Sequence, residues 1–252
     1  MNQYSQLTDA VLEAATLLPV IPSDLAPRLD ALKARRDQEP PRDPEDELAA
    51  ALAGEMGPYL QQVAEQIVNG QQPDTRDMDE RILVLLLLGL LGATTASALQ
   101  RAQALGVELS IDAINRRATQ WAQSYTYDMV RGINDTTRRA ISDAVSAYTQ
   151  TPGMTVDDVA ALLEPTFGQR RAQAIATTEI TRAYSQAATI TQQEVAAMGV
   201  VTLRQWVTWR DDRVCPICGP LHNTFEDVWQ LEFPDGPPAH VNCRCWLTLV
   251  RQ

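Results

Sequence analysis

Apolar residues recur at three- and four-residue steps along most of the chain, which predicts a protein built mainly from α-helices. Leu7, Val11, Leu12, Ala15, Leu17 and Leu18 mark a short amphipathic helix over residues 1–20, stopped by Pro19 and Pro22. The pattern then lapses. Residues 21–47 are rich in Pro and in charges of both signs, so 1–47 read as an N-terminal helix followed by a flexible acidic, Pro-rich arm.

A helical body is predicted over 48–170. Asp46 is placed to cap its first helix, which carries Leu48, Leu52, Met56, Leu60, Val63 and Ile67 to about Gly70. The uncharged run from Ile82 to Leu99 sits at the lower length limit for a membrane span. Its second half, Thr94-Thr-Ala-Ser-Ala98, is only weakly apolar, and neither basic clusters nor an aromatic belt flank it. The run is therefore read as a central buried helix. Helical spacing continues through Ile111, Ile114, Trp121, Tyr125, Met129, Ile133, Ile141, Val145 and Tyr148, with a turn or an N-cap expected at Asn134-Asp-Thr-Thr137. Thr151-Pro-Gly153 breaks the chain, and Thr155 with Asp158 opens a new helix through a capping box.

A further long helix is expected from Ala172 to about Met198, closed by Gly199. Val200 to Trp209 alternates and is β-branched, which predicts a strand, with short strands to follow near 224–229 and 244–250. Residues 171–252 thus form a long helix joined to a small C-terminal α/β, β-rich module. Trp206 and Trp209 are expected to cover the module's Cys/His site or the adjoining core.

Composition narrows the function. A formal net charge of −11 argues against wrapping DNA or an anionic membrane by charge alone, though not against a local basic patch. The doublets Arg116-Arg117, Arg138-Arg139 and Arg170-Arg171 are read as solvated helix faces.

The chemistry is concentrated at one end. All four cysteines and both histidines lie in Cys215-Pro-Ile-Cys218, His222 and His240-Val-Asn-Cys243-Arg-Cys245. Two close donors on one turn and more on a second is the spacing a tetrahedral Zn²⁺ needs. Two disulfides are disfavoured, since no signal peptide opens the sequence and cysteines are few for its length. A thioredoxin-type pair would need a βαβ pattern and would leave the second cluster idle. The expectation is a structural zinc-knuckle-like site held by four of Cys215, Cys218, His240, Cys243 and Cys245. If residues 242–247 are extended, Cys243 and Cys245 share a face; if the chain turns at Pro237-Pro238, His240 and Cys243 form a pair. His222 is the weaker candidate. Asp212-Arg213 ahead of the first turn is expected to orient the loop.

Arg171-Ala-Gln-Ala-Ile-Ala-Thr-Thr-Glu179-Ile-Thr-Arg182-Ala183, then the tryptophan strand, then Asp212-Arg213-Val-Cys215-Pro-Ile-Cys218, then Pro237-Pro238-Ala-His240 and Cys243-Arg-Cys245, occur in that order. In this the chain resembles the phage Mu F-like minor head proteins, the head morphogenesis family, over about residues 110–250. It departs from them at Leu221-His222-Asn223, where a glycine is usual, and at His240-Val241; Asn223 tolerates positive φ nearly as well as glycine. The resemblance implies a minor capsid protein of a tailed phage or prophage, in the virion at the portal vertex and in host cytoplasm during assembly. Its partners would be the portal and other capsid or scaffold proteins, with weak contact to DNA, and with neither membrane nor small-molecule substrate.

Two other readings compete with this one. Glu179 and Arg182 would tempt an enzymatic reading, but three residues apart on one helix they are expected to form an ion pair, and no enzyme is expected. A zinc-containing nucleic-acid-binding module is the alternative. Arg204, Arg210, Arg213 and Arg244 would serve it, but Asp211, Asp212, Glu226, Asp227, Glu232 and Asp235 outnumber them.

Overall fold

The structure, a computed structural model, describes residues 44–151, 153–208 and 214–252. The expected helix at 1–20, most of the arm, Trp209 and Asp212-Arg213 lie outside them. Five long helices and a small two-stranded sheet make up the described residues: α1 Pro44–Val68, α2 Arg76–Ala104, α3 Ile111–Gln150, α4 Val156–Phe167, α5 Gln169–Ala197, β1 Thr202–Val207, the single turn α6 Glu226–Trp229, and β2 Trp246–Arg251. The protein is mainly helical, as its periodicity predicts.

These residues form two compact units. One comprises Glu45–Leu87 and Gln123–Ala176, the other Leu88–Ala122 and Thr177–Gln252. In the first unit α1 starts two residues ahead of the expected cap, at Pro44. Proline's fixed φ suits a first turn, and Glu45, Asp46 and Glu47 then lie at the positive end of the helix dipole. Leu52, Met56, Val63 and Ile67 bury the expected face. Arg81 ties α2 to α1, reaching Glu55 at 3.4 Å and Asp77 at 2.9 Å, while the Tyr59 hydroxyl donates to Asp77 at 2.5 Å. The capping box of α4 forms as read: the Asp158 N–H donates to Thr155 Oγ1, and the Thr155 N–H donates to Asp158 Oδ2 at 2.8 Å.

The turn expected at Asn134–Thr137 does not form, and α3 runs unbroken. The Thr136 and Thr137 hydroxyls donate to the carbonyls of Gly132 and Ile133, each at 3.0 Å, so they are satisfied inside the helix without opening it. Among the described residues α2 alone is long and apolar enough to cross a membrane, and 67% of its most apolar window is buried in the protein. That burial is what a core helix shows. Ile82, Leu86, Leu90 and Leu91 are all fully buried.

In the second unit the weakly apolar half of α2 meets α5 through small residues. Ala98, Ala187 and Ile114 form one buried cluster, and the Thr191 hydroxyl donates to Ala98 O at 3.3 Å. The sheet is antiparallel, pairing Thr202 with Arg251 through Val207 with Trp246. The strand expected at 224–229 is absent. Only Phe225 bridges to β1, at Gln205, and Glu226–Trp229 coils into α6, so the module is richer in loops than in strands. Gly199 ends α5 at φ 81°, with the Val200 N–H reaching back to Val195 O at 2.9 Å.

Asp79, in the first turn of α2, has one carboxylate oxygen buried without a partner. Burial raises it from 3.8 to about 6, against the opposing pull of Arg138 and Thr75. A native value above the unfolded one means that stability is fullest below pH 4 and is lost as pH rises through 6. The shift would correspond to about 3 kcal/mol, of which roughly 1 kcal/mol survives for a half-exposed group. Asp79→Asn is therefore expected to stabilise the protein by about 1 kcal/mol at pH 7 and by nothing measurable near pH 4 in denaturant melts. An unchanged or lowered midpoint at pH 7 would refute this.

Candidate metal centre

Between β1 and β2 the chain makes two donor turns. In the first, the Cys218 N–H donates to Cys215 Sγ at 3.3 Å and the Gly219 N–H to Cys215 O at 3.0 Å, and a 3₁₀ turn follows at Gly219–Leu221. In the second, the Cys243 N–H donates to His240 O at 3.2 Å. Beyond it burial alternates, with Cys243 and Cys245 inside and Arg244 half-buried. The two arrangements left open by the sequence therefore coexist: His240 and Cys243 pair across a turn, and Cys243 and Cys245 share a face.

All five candidate donors converge. Cys215, Cys218 and His240 form one triad and Cys218, Cys243 and Cys245 another, each with its donor atoms within 4.8 Å of one another. His240 Nε2 stands 3.0 Å from Cys215 Sγ and 3.4 Å from Cys218 Sγ, and the Cys218 and Cys243 sulfurs are 3.8 Å apart. Ligands on a tetrahedral zinc are separated by about 3.8 Å for two sulfurs and about 3.5 Å for nitrogen and sulfur, given bonds of about 2.3 and 2.0 Å. A disulfide needs about 2.05 Å, and all four cysteines are free thiols. The donors line a cavity of about 20 Å³, room for a single ion or water.

The electrostatics suit a cation. His240 Nδ1 lies 2.8 Å from Val241 O, which can only accept, so the proton sits on Nδ1 and the Nε2 lone pair faces the sulfurs. Hydrogen bonds with Cys218 and Cys245 lower the Cys243 thiol, whereas bonds with Cys243 and Cys245, together with burial, raise Cys218. For Cys245 the Cys218 bond pulls downward, but Cys243 and burial outweigh it and the thiol rises to about 12. Burial would raise Cys215, yet the Cys218 and Ile217 N–H groups and His240 bring it below the usual thiol range. Crowded thiols thus resist ionising together, and a divalent ion would let those held neutral ionise.

Helix α5 supports the second turn. Thr178 Oγ1 accepts the Asn242 N–H at 2.9 Å, and the Thr181 hydroxyl donates to Cys243 O at 2.6 Å. These threonines flank Glu179 within the helix motif and explain its spacing: three residues apart, both hydroxyls face one loop. Glu179 and Arg182 form the expected ion pair at 3.5 Å. Ala188 joins Trp206, Trp229, Cys218, Cys243, Cys245 and Leu247 in one buried cluster, where Trp206 lies edge-on to Trp229 at 5.7 Å. Gly236, at φ 75°, passes Leu247 so closely that a Cβ would come within 2.8 Å of its side chain.

Sequence reasoning missed Arg101. From α2 it donates to the carbonyls of Leu247 in β2 and, at 3.3 Å, Tyr184 in α5, and withdrawal from water lowers its guanidinium to about 10. Nothing in its sequence neighbourhood marks it. Arg204 is occupied internally: it pairs with Glu226 at 2.6 Å, lies 5.3 Å from the Trp229 ring centre and reaches Thr189. His222 stands in neither donor triad; its Nδ1 faces the Thr208 N–H at 3.1 Å. Asn223 adopts the anticipated positive φ, 63°, and returns its N–H to Trp206 O.

Fold and site define a mainly helical protein whose C-terminal end is a loop-rich module gathered around a Cys/His cluster and bound to a long helix. The family model described as phage Mu protein F like protein matches residues 135–248, from within α3 to β2, and identifies this region as phage Mu F-like. No curated protein and no solved structure matches the chain.

Cys215→Ser and Cys243→Ser are each expected to unfold the C-terminal module while leaving the helices before residue 170 formed. Helical circular dichroism should fall only slightly, and proteolysis should begin beyond residue 200. A digestion pattern identical to that of the parent would refute the clasp.

Proposed function

We propose that the protein is a minor head protein of a tailed phage or prophage that binds the portal inside the procapsid, assists head assembly, and acts in packaging or ejection through weak contact with DNA. The match over residues 135–248 carries this reading. The site supports it, since a cavity fit for one ion suits a scaffold held by structural Zn²⁺ better than a catalyst. The role is accordingly one of assembly and not of catalysis. The implied setting is the virion interior at the portal vertex, and the host cytoplasm before that.

A zinc-containing nucleic-acid-binding module is less well supported. Arg204, one of the arginines that could grip phosphate, is committed to Glu226 and Trp229, and net charge remains −11.

Co-expression with the portal protein of the same phage or prophage, followed by pull-down and elemental analysis, tests partner and metal together. The expected result is co-purification of portal with about one zinc per chain, both lost in Cys215→Ser. Recovery without portal at low salt, in the presence of bound zinc, would contradict the assembly reading.

A further inference from the structure

Side chains alternate across the β1–β2 sheet, so the register separates its two faces. One face lies on α5. Trp206 and Leu247 are fully buried there in one cluster with Ala188, and Leu249 packs against it. Arg204 reaches Thr189, and the Gln192 side-chain amide donates to Thr202 O at 2.9 Å. The outer face carries Leu203, Gln205 and Val207 from β1 and Trp246, Thr248 and Val250 from β2. Val201 extends it by one position, since the Val201 carbonyl accepts the Gln252 N–H.

This outer face has the composition of an interior. None of its residues is charged and most are apolar, whereas a sheet face turned to water alternates toward polar and charged side chains. The two arginines of the sheet, Arg204 and Arg251, fall on the α5 face instead. Yet Val201 is 58% and Val250 37% exposed, at the end of the sheet away from the donor turns, and Leu203 and Val207 are only half-buried. A two-stranded sheet is marginal unless it is packed, and an apolar face of this kind calls for a second layer.

The same chain carries a layer that matches. Residues 7–18, outside the described ones, set Leu7, Val11, Ala14 and Leu18 on one side of the helix expected there, and Asp9 and Glu13 on the opposite side. Twelve helical residues run about 18 Å and six strand residues about 20 Å, so helix and face agree in length. An uncharged helix side would meet an uncharged sheet, with both carboxylates left in water. Residues 19–43 join this segment to α1, and a chain of that length spans up to about 80 Å when extended, several times the length of the sheet. Such a tether sets an effective concentration of roughly millimolar, far above that of a second copy in solution.

We infer that residues 7–18 pack as a helix across the outer face of the β1–β2 sheet of the same chain, as the layer opposite α5. Leu7, Val11 and Leu18 then cover Val201, Leu203 and Val250, and the Pro-rich arm becomes a loop fastened at both ends.

Photo-cross-linking of the full chain, with p-benzoylphenylalanine in place of Val201 or of Val250 and mass spectrometry of the products, reports what lies on the face. Links to residues 7–18 are expected, within one molecule when isotopically light and heavy chains are mixed. The same probe in place of Leu162, which is 48% exposed on α4 and no part of the sheet, should not link to them. Val11→Asp with Leu18→Asp should cut the linkage more than about tenfold, because two apolar side chains leave the contact. Links confined to residues 7–18 of a second copy, links only to residues 209–213, or a yield unchanged by the aspartates would each overturn the inference. The parent chain supplies a test free of substitutions. Its amides at 7–18 should exchange more slowly than those at 21–43, and exchange at the rate of an unstructured peptide would overturn the inference equally.

Discussion

Two hydroxyls one turn apart on α5 decide whether the cluster can assemble. Thr178 and Thr181 hold the Asn242–Cys243 backbone from both sides, one accepting an N–H and the other donating to a carbonyl. Without that grip the second donor turn would have to be placed by the metal alone, against the entropy of a loop that runs from β1 to β2. With it, the second donor turn is seated on α5, and the ion has only to draw the two turns together. Helix, loop and cluster therefore stand or fall together, and β2 is held to them by Arg101 and by the Trp206–Leu247 pairing.

Most of the helical architecture was readable because burial at three- and four-residue steps leaves a clear trace; Leu52, Met56 and Val63 on α1 show it. The uninterrupted α3 was not readable. Asn134-Asp-Thr-Thr137 looks like a turn, and only the return of two threonine hydroxyls to helix carbonyls shows why it is none. The missing third strand has a similar cause. Thr224 and Phe225 begin as a strand would, but Glu226 and Asp227 then favour the first turn of a helix. At the site, ligand spacing placed the donors within one small volume of the sequence. Arg101 was beyond reach, because an arginine that donates to distant carbonyls looks like any solvated arginine until the fold is known.

Charge and geometry point the same way on what the module does. Arg204, against Trp229, and Arg101, reaching from α2 to β2, are drawn inward and so stabilise the module. The cavity among the donors has room for a single ion.

Hydrogen exchange across residues 171–252, measured before and after removal of metal by a chelator, addresses the central claim most directly. Loss of protection together in β1, β2, both donor turns and the α5 segment around Thr178–Thr181, with α4 unchanged, is the result this account predicts. Protection that survives chelation in β1, β2 and the donor turns would contradict it.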